Sequence, residues 1–133
     1  MYEIIQSKSV SGGTQISVSA PMIWVQIPNI SLQIYLNSAA NGVALQWSLP
    51  AQTDTDGGSI VSCLRRGGVI LGTQQPLWCS GKVMCSLSGF ADDVPGYIGP
   101  LEYTLWIGAP SGTAHAPANF GGVASIFANE YVR

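Results

Sequence analysis

The chain has 133 residues, and 9% of them are Asp, Glu, Lys or Arg, against about 25% in an average soluble domain. The net charge is −2, and the five basic residues are scattered apart from the pair Arg65-Arg66. This excludes the dense positive charge of a nucleic-acid-binding or polybasic membrane-binding domain.

Hydrophobic residues make up 47% of the chain, enough to bury a core, and we predict a single domain over residues 1–133. With so little charge, the surface must consist largely of Ser, Thr, Gln, Asn, Gly and small apolar residues. Copies of the chain can cover such a surface with little charge desolvation. We therefore predict a homo-oligomer or a larger assembly.

No apolar stretch approaches the roughly 20 residues that a membrane-spanning helix needs, so we predict no membrane insertion. The first residues, MYEIIQSKSVSGG, also lack the basic start and apolar core of a signal peptide.

Along much of the chain, hydrophobic side chains recur at every second residue, which is the period of a half-buried β-strand. Gly, Asn and Pro separate these runs at intervals of about 8–12 residues, as in sandwiches and barrels. The sequence therefore predicts an all-β fold, an antiparallel sandwich or jelly-roll-like barrel. The predicted strands cover residues 2–9, 14–19, 22–27, 30–37, 43–49, 59–64, 68–72, 82–88, 101–108 and 122–132.

Three stretches lack clear alternation and are predicted to be long loops, at 50–58, 89–100 and 109–121. Long loops in a compact β-domain usually carry recognition. The first contains Asp54 and Asp56, two carboxylates that can converge on a calcium ion, with carbonyl and water oxygens completing the shell. Two carboxylates are too few for a complete site, so a contact between subunits would be its setting. The alternative is an ordinary hairpin turn, since Asp-Gly is a common turn dipeptide.

The second loop carries the adjacent residues Asp92 and Asp93, followed by Tyr97. A metal shell or an acid–base pair would need both carboxylates in one place. Neighbouring residues in an extended chain point apart, so the pattern predicts a solvated turn.

His115, the only histidine, lies in the third loop, where we predict it to be exposed. A hydrolase would need a serine and an acid beside it. Ser111 and either Asp92 or Asp93 are the nominal candidates. No Gly-x-Ser-x-Gly elbow supports them, and we predict that the protein is not an enzyme.

Tryptophans occur on both phases of the alternation. Trp47 shares its phase with three aliphatic residues, which predicts a core position. Trp24 and Trp106 are out of phase with their apolar neighbours, which predicts the opposite sheet face and a second buried surface. The alternative is a sugar-stacking platform rimmed by Asn and Gln and formed by the aromatic residues Trp24, Trp47, Trp78, Trp106, Tyr2, Tyr35, Tyr97, Tyr103 and Tyr131.

Cys63, Cys79 and Cys85 make an odd count, so at least one thiol is unpaired within the chain. Free cysteines are typical of a reducing compartment, or are buried as small apolar residues. No Cys-x-x-Cys pattern occurs, and a zinc site is not predicted.

The segment GPLEYTLWIGAP at 99–110 is an alternating strand that runs into an Ala-Pro exit, and a last aromatic strand follows at 124–131. Together they resemble the closing strands of viral jelly-roll coat proteins. The chain is similar in style to the protruding domain of small non-enveloped icosahedral RNA viruses, such as nodaviruses and related insect viruses. The basic RNA-binding arm of such coat proteins is missing, which fits an outer domain excised from a longer protein.

The resemblance implies a virion-surface module, made in the host cytoplasm, that forms dimers or trimers and binds a host receptor or glycan. Some members hold calcium with an Asp-x-Asp loop between subunits, a pattern that Asp54 and Asp56 match. Two alternatives remain, a free-standing carbohydrate-binding lectin or adhesin and a hydrolase that uses His115. The residues predicted to contact a ligand or receptor are Trp78, Asp92, Asp93, Tyr97 and His115.

Overall fold

The computed structural model describes residues 3–54, 58–74, 77–79, 84–117 and 122–133, with side chains at 77–79 left out. This part of the chain contains β-strands and no helix, which confirms the predicted all-β fold. The strands are β1 Ile4–Gly12, β2 Ile16–Ser19, β3 Val25–Leu36, β4 Gly42–Thr53, β5 Gly58–Arg66, β6 Val69–Thr73, β7 Leu77–Cys79, β8 Cys85–Asp93, β9 Gly99–Ser111, β10 Thr113–Ala116 and β11 Ala124–Tyr131. The described residues contain no helical segment that could span a lipid bilayer.

The strands form two antiparallel sheets. The first sheet has the order β1-β11-β4-β10-β2, with β8 paired to the other edge of β4, and the second has the order β3-β9-β5-β6, with β7 also paired to β5. The chain passes repeatedly from one sheet to the other, so strand neighbours are mostly distant in sequence. The inward residues of both sheets form the core, as in a β-sandwich.

Trp47 lies at the centre of this core, as its phase predicts, and none of its side chain is exposed. Its indole Nε1 donates a hydrogen bond to Ser62 Oγ of the opposite sheet at 2.8 Å. Trp47 on β4 is paired with Gly89 on the adjacent strand β8. The indole occupies the space that a side chain at Gly89 would need.

The three predicted long loops are largely wrong. β4 continues to Thr53, β8 to Asp93 and β9 to Ser111, and β10 occupies residues 113–116 of the third loop. Two residues of types that favour turns serve packing and pairing in these segments instead. Gly89 makes room for Trp47, and Pro50 pairs with Ser86 inside the ladder between β4 and β8.

The predicted strands at 22–27 and 30–37 are joined into the single strand β3. Its register against β9 shifts between Gln26 and Ser31, where Asn29 has a φ of 62°. An asparagine tolerates this left-handed conformation, and the Pro28-Asn29 pair therefore makes an irregularity within a strand rather than a turn.

Cys63 is free and completely buried, while Cys85 is disulfide-bonded. Burial raises the pKa of the Cys63 thiol, so this residue behaves as a small apolar core side chain. Of the two interpretations of the odd cysteine count, burial describes Cys63.

A buried carboxylate joins the two sheets at one end of the sandwich. Glu130 has no exposed surface. It accepts hydrogen bonds from Gln6 Nε2 at 2.8 Å, from Asn37 N at 3.0 Å and Nδ2 at 2.9 Å, and from Asn41 Nδ2 at 3.0 Å. Burial alone would raise the pKa of Glu130, but these four donors outweigh it and hold the pKa below its ordinary value of 4.5.

We expect the free energy of unfolding to decrease as the pH is lowered, because Glu130 becomes protonated. Because the folded-state pKa is depressed, the stabilisation is complete above about pH 5 and is lost as the pH falls through the folded pKa. Glu130→Gln should be less stable than the wild type at pH 7 by about 1–3 kcal/mol and should lose less stability on acidification. Urea unfolding at pH 7 and pH 4 measures both effects; equal acid sensitivity in the two proteins would contradict this role.

Candidate functional site

Asp92 and Asp93 end β8 and point to opposite faces, as neighbours in a strand must. Asp93 is buried, and the prediction of a solvated turn is wrong for it. Arg66 forms a two-pronged ion pair with it, Nε–Oδ2 at 2.7 Å and Nη2–Oδ1 at 3.1 Å, and the hydroxyl of Tyr103 donates to Oδ2 at 2.9 Å. These partners replace the water that an acidic residue ordinarily requires.

Asp93 shifts the pKa values of both of its hydrogen-bond donors, Arg66 and Tyr103. The hydrogen bond to Asp93 raises the pKa of Arg66, so the guanidinium stays charged. Burial, together with the charge of Asp93, raises the pKa of Tyr103 well above its ordinary value. Tyr103 therefore remains a neutral donor, and the cluster fixes Arg66 in place.

Arg66 forms part of the wall of a polar cleft on the second sheet. The cleft has a volume of about 440 Å³ and is lined by Gln26, Arg66, Gly67, Tyr97, Glu102, Thr104 and Trp106. Tyr97, predicted to contact a ligand, is half-exposed in the connection between β8 and β9. Trp106, which belongs with Tyr97 to the predicted aromatic platform, lines the same cleft.

Trp106 lies on the outer face of the second sheet, where its phase predicts it. Its Nε1 donates to Thr104 Oγ1 at 2.9 Å, and the guanidinium of Arg65 stacks 4.1 Å from the ring centroid. A cation–π contact of this kind contributes about 0.5–2 kcal/mol. Both contacts hold the indole in a fixed orientation. The prediction of a surface covered by another chain stays a prediction for Trp106.

The outer side chains of strands β1, β11, β4 and β8 form a continuous surface, which we call the Phe90 face. Cross-strand pairing arranges it in three rows, and the central row contains Phe127, Gln46 and Phe90. Phe90 is 73% exposed and Phe127 is 46% exposed. Asp92 is the one charged member of the face, whose residues are Ser7, Ser9, Ser11, Ala44, Gln46, Ser48, Ser88, Phe90, Asp92, Ser125, Phe127 and Asn129.

Asp92 is located at one corner of the Phe90 face. Its Oδ1 accepts a hydrogen bond from the Tyr131 hydroxyl at 2.5 Å. Both residues line a shallow hollow of about 400 Å³, together with Ile4, Ala44 and Asn129. Asp92 and Asp93, which were predicted to lie on one solvated turn, therefore lie on opposite faces of β8 and have different hydrogen-bond partners.

His115 lies on β10 and is half-buried, so the prediction of an exposed loop residue is wrong. Its Nδ1 lies 2.6 Å from Ser17 Oγ, and its Nε2 lies 2.6 Å from Asp54 Oδ1. The residues predicted as its hydrolase partners have other hydrogen-bond partners. Ser111 bonds Ser59, Asp92 bonds Tyr131 and Asp93 bonds Arg66. The serine and acid that do meet His115 are 98 and 61 residues away in sequence.

The arrangement of Ser17, His115 and Asp54 resembles the proton relay of serine hydrolases, with the two imidazole nitrogens exchanged. A neutral imidazole carrying its proton on Nε2 would donate to Asp54 and accept from Ser17. Hydrolysis also requires a substrate cleft and oxyanion donors beside the serine. None of these three residues lines the cleft or the hollow. The contacts of His115 with Ser17 and Asp54 also link β10 to its neighbours β2 and β4.

The predicted calcium ligands are only partly within the described residues. Asp54 is half-exposed with its carboxylate beside His115, whereas Asp56 lies outside them. Among the residues that the structure describes, no three His, Cys, Asp or Glu side chains converge to hold a metal ion. Calcium binding stays a prediction, as does ligand contact by Trp78, whose side chain is outside the described part.

Sequence reasoning missed the two exposed phenylalanines, although their signal was present. Phe90 and Phe127 each alternate out of phase with small or aliphatic core residues, as Trp106 does. The same criterion, applied to all aromatic residues, would have found the Phe90 face. No local sequence pattern predicts the ion pair between Arg66 and Asp93, because 27 residues separate them.

No protein-family model matches the chain, and no curated protein does. Solved structures do match. A chain of infectious bursal disease virus, Gx strain, superposes with a TM-score of 0.56 at 10% identity, covering 95% of this chain and 40% of that one. The VP2 subviral particle of the same virus gives a TM-score of 0.54 at 10% identity, covering 95% of this chain and 38% of that one.

This chain therefore spans about two fifths of the capsid chains that it matches. At such low identity the likeness concerns the fold alone. The two viral structures named above are those of infectious bursal disease virus, and the more specific resemblance to nodaviruses stays a prediction. The chain has the β-sandwich fold of a domain found in icosahedral virus capsid proteins.

Proposed function

We propose that this chain is a structural module of a virus surface that associates with copies of itself, contributes to host attachment and catalyses no reaction. The observation that carries the proposal is the Phe90 face. It is nearly free of charge and carries Phe90, whose side chain is 73% exposed. The fold shared with capsid proteins supports the same function.

The chemistry of the Phe90 face favours a second copy of the chain as its partner. Burying one phenylalanine side chain contributes about 1.5–3 kcal/mol, and eleven of the twelve residues carry no charge to desolvate. Four strands at a spacing of about 4.8 Å make a face about 20 Å across. The three rows span five residues along each strand, or about 17 Å, so the area is roughly 350 Å². That is less than half of the roughly 800 Å² that a standard interface buries on one partner. The expected association is therefore weak between two copies and reinforced when many copies surround one another.

The proposed contact is tested by removing both aromatic side chains. The wild type should show an average mass that rises with concentration above 14.0 kDa by light scattering. The double variant Phe90→Ser/Phe127→Ser should remain near the mass of one chain. Tyr35→Ser is the matched control, because Tyr35 is an aromatic residue 56% exposed on the second sheet. Association of the double variant as strong as that of the wild type would contradict the proposal.

The absence of catalysis is tested at Ser17. We expect a fluorophosphonate probe to leave Ser17 unlabelled in intact-mass analysis, because the described cavities do not reach this serine. His115→Ala serves as the comparison and should cost less than about 1 kcal/mol of stability, as for other partly exposed polar contacts. Labelling of Ser17 that disappears in His115→Ala would show an activated nucleophile and would contradict the proposal.

A further inference from the structure

The polar cleft on the second sheet combines an ordered aromatic ring with fixed polar groups. Trp106 and Thr104 face it from β9, and Gln26 lies directly opposite Trp106 on β3. Arg66, at the end of β5, and Tyr97 also line the cleft. We propose that this cleft binds an uncharged carbohydrate, through one or two sugar units at the end of a glycan. This inference deepens the attachment part of the proposed function and rests on it.

The indole supplies the stacking surface. A sugar ring has an apolar C–H face that packs on an aromatic ring, and the gain is larger when the ring is already immobile. Trp106 meets this condition, because its N–H is bonded to Thr104 and the Arg65 guanidinium stacks on it. The guanidinium covers one face of the ring, so a sugar would pack on the opposite face. The indole N–H is already bonded to Thr104, so the ring would act on the sugar through its apolar surface.

The polar residues supply both donors and acceptors, as vicinal hydroxyl groups require. Arg66 uses Nε and Nη2 for Asp93, and a guanidinium has five N–H donors, so others remain for a ligand. Glu102 accepts from Gln33 at 3.1 Å through Oε2, and its carboxylate has further acceptor positions. Gln26 is exposed beside the indole and carries an amide that can donate and accept.

The charge balance selects the class of carbohydrate. The positive charges of Arg65 and Arg66 are matched by the negative charges of Asp93 and Glu102, so an anionic group gains no net attraction. Glu102 stands in the cleft wall and would repel a carboxylate or a sulfate. A volume of about 440 Å³ is at the lower end of the range for small-ligand sites, about 300–1,000 Å³. It suits one or two sugar units rather than a long chain.

The test starts with the complete chain on a glycan array that carries neutral, sialylated and sulfated glycans. We expect binding to neutral glycans, and the strongest of them is then titrated by NMR against the wild type and the variants. Trp106→Ala and Glu102→Gln should each weaken binding by about tenfold or more. Tyr35→Ala, which removes an exposed aromatic residue outside the cleft, should bind as the wild type does. Glu102 is exposed, so its variant reports on binding even if Trp106→Ala fails to fold.

Three results would overturn the inference: no neutral glycan bound at millimolar concentration, binding confined to sialylated or sulfated glycans, or unchanged affinity in Glu102→Gln. Failure of the self-association proposal can be distinguished from failure of the glycan-binding proposal. The variant Phe90→Ser/Phe127→Ser removes the proposed contact between copies and leaves the cleft intact. If this variant still binds the glycan and its average mass in solution equals that of the wild type, the cleft assignment stands and the self-association proposal is wrong.

Discussion

Gly89→Ala is expected to lower the free energy of unfolding by about 3 kcal/mol or more. A Cβ at this position would overlap the indole of Trp47, which pairs with Gly89 across the two strands. The indole cannot move aside cheaply, because it is completely buried and donates a hydrogen bond to Ser62. One added methyl group must therefore displace either the ring or strand β8. Denaturant unfolding followed by tryptophan fluorescence measures the loss.

Gly68→Ala is the matched control for this substitution. Gly68 lies at the tip of the hairpin between β5 and β6, and a Cβ there meets no atom within 4 Å. Its effect should stay within about 0.5 kcal/mol, as for other exposed surface changes. Equal effects of the two alanine substitutions would show that the overlap with Trp47 is not the cause.

Asp93→Asn is expected to destabilise the fold by about 3 kcal/mol, because it breaks a buried ion pair and leaves the charge of Arg66 without its partner. The carboxylate is nearly inaccessible to water and accepts hydrogen bonds from Arg66 and from Tyr103. An amide keeps the shape but removes the negative charge and one acceptor. Urea unfolding at pH 7 gives the difference directly.

The neighbouring residue provides the control for charge removal. Asp92 is exposed and bonded through one oxygen to Tyr131, and the amide of Asp92→Asn retains that acceptor. Its cost should be below about 1 kcal/mol, as for an exposed polar contact. If Asp92→Asn proves as harmful as Asp93→Asn, the assignment of Asp93 as a buried anchor is wrong.

The alternating pattern was sufficient to predict the class of fold and the core position of Trp47. It was insufficient to predict where strands end, because glycine and proline have different meanings in different surroundings. Gly89 looks like a turn residue, yet only the Trp47 ring on the facing strand explains it. Pro50 looks like a strand end, yet it pairs within the ladder of β4 and β8.

The candidate sites depend on contacts that no local pattern contains. His115 meets Ser17 and Asp54 because β10 lies between β2 and β4, an order that alternation alone does not specify. The burial of Asp93 depends in the same way on Arg66 being across the sandwich. By contrast, the Phe90 face follows from the phase of its aromatic residues and was predictable in principle.

Sedimentation equilibrium of the unmodified chain over a range of concentrations tests the central claim most directly, since every copy then carries an uncovered Phe90 face. The account predicts an average mass that climbs from 14.0 kDa toward a whole-number multiple as concentration increases, and that no longer climbs when Phe90 and Phe127 are both serine. A wild-type chain that sediments as a single species of 14.0 kDa at every concentration up to the millimolar range would contradict it.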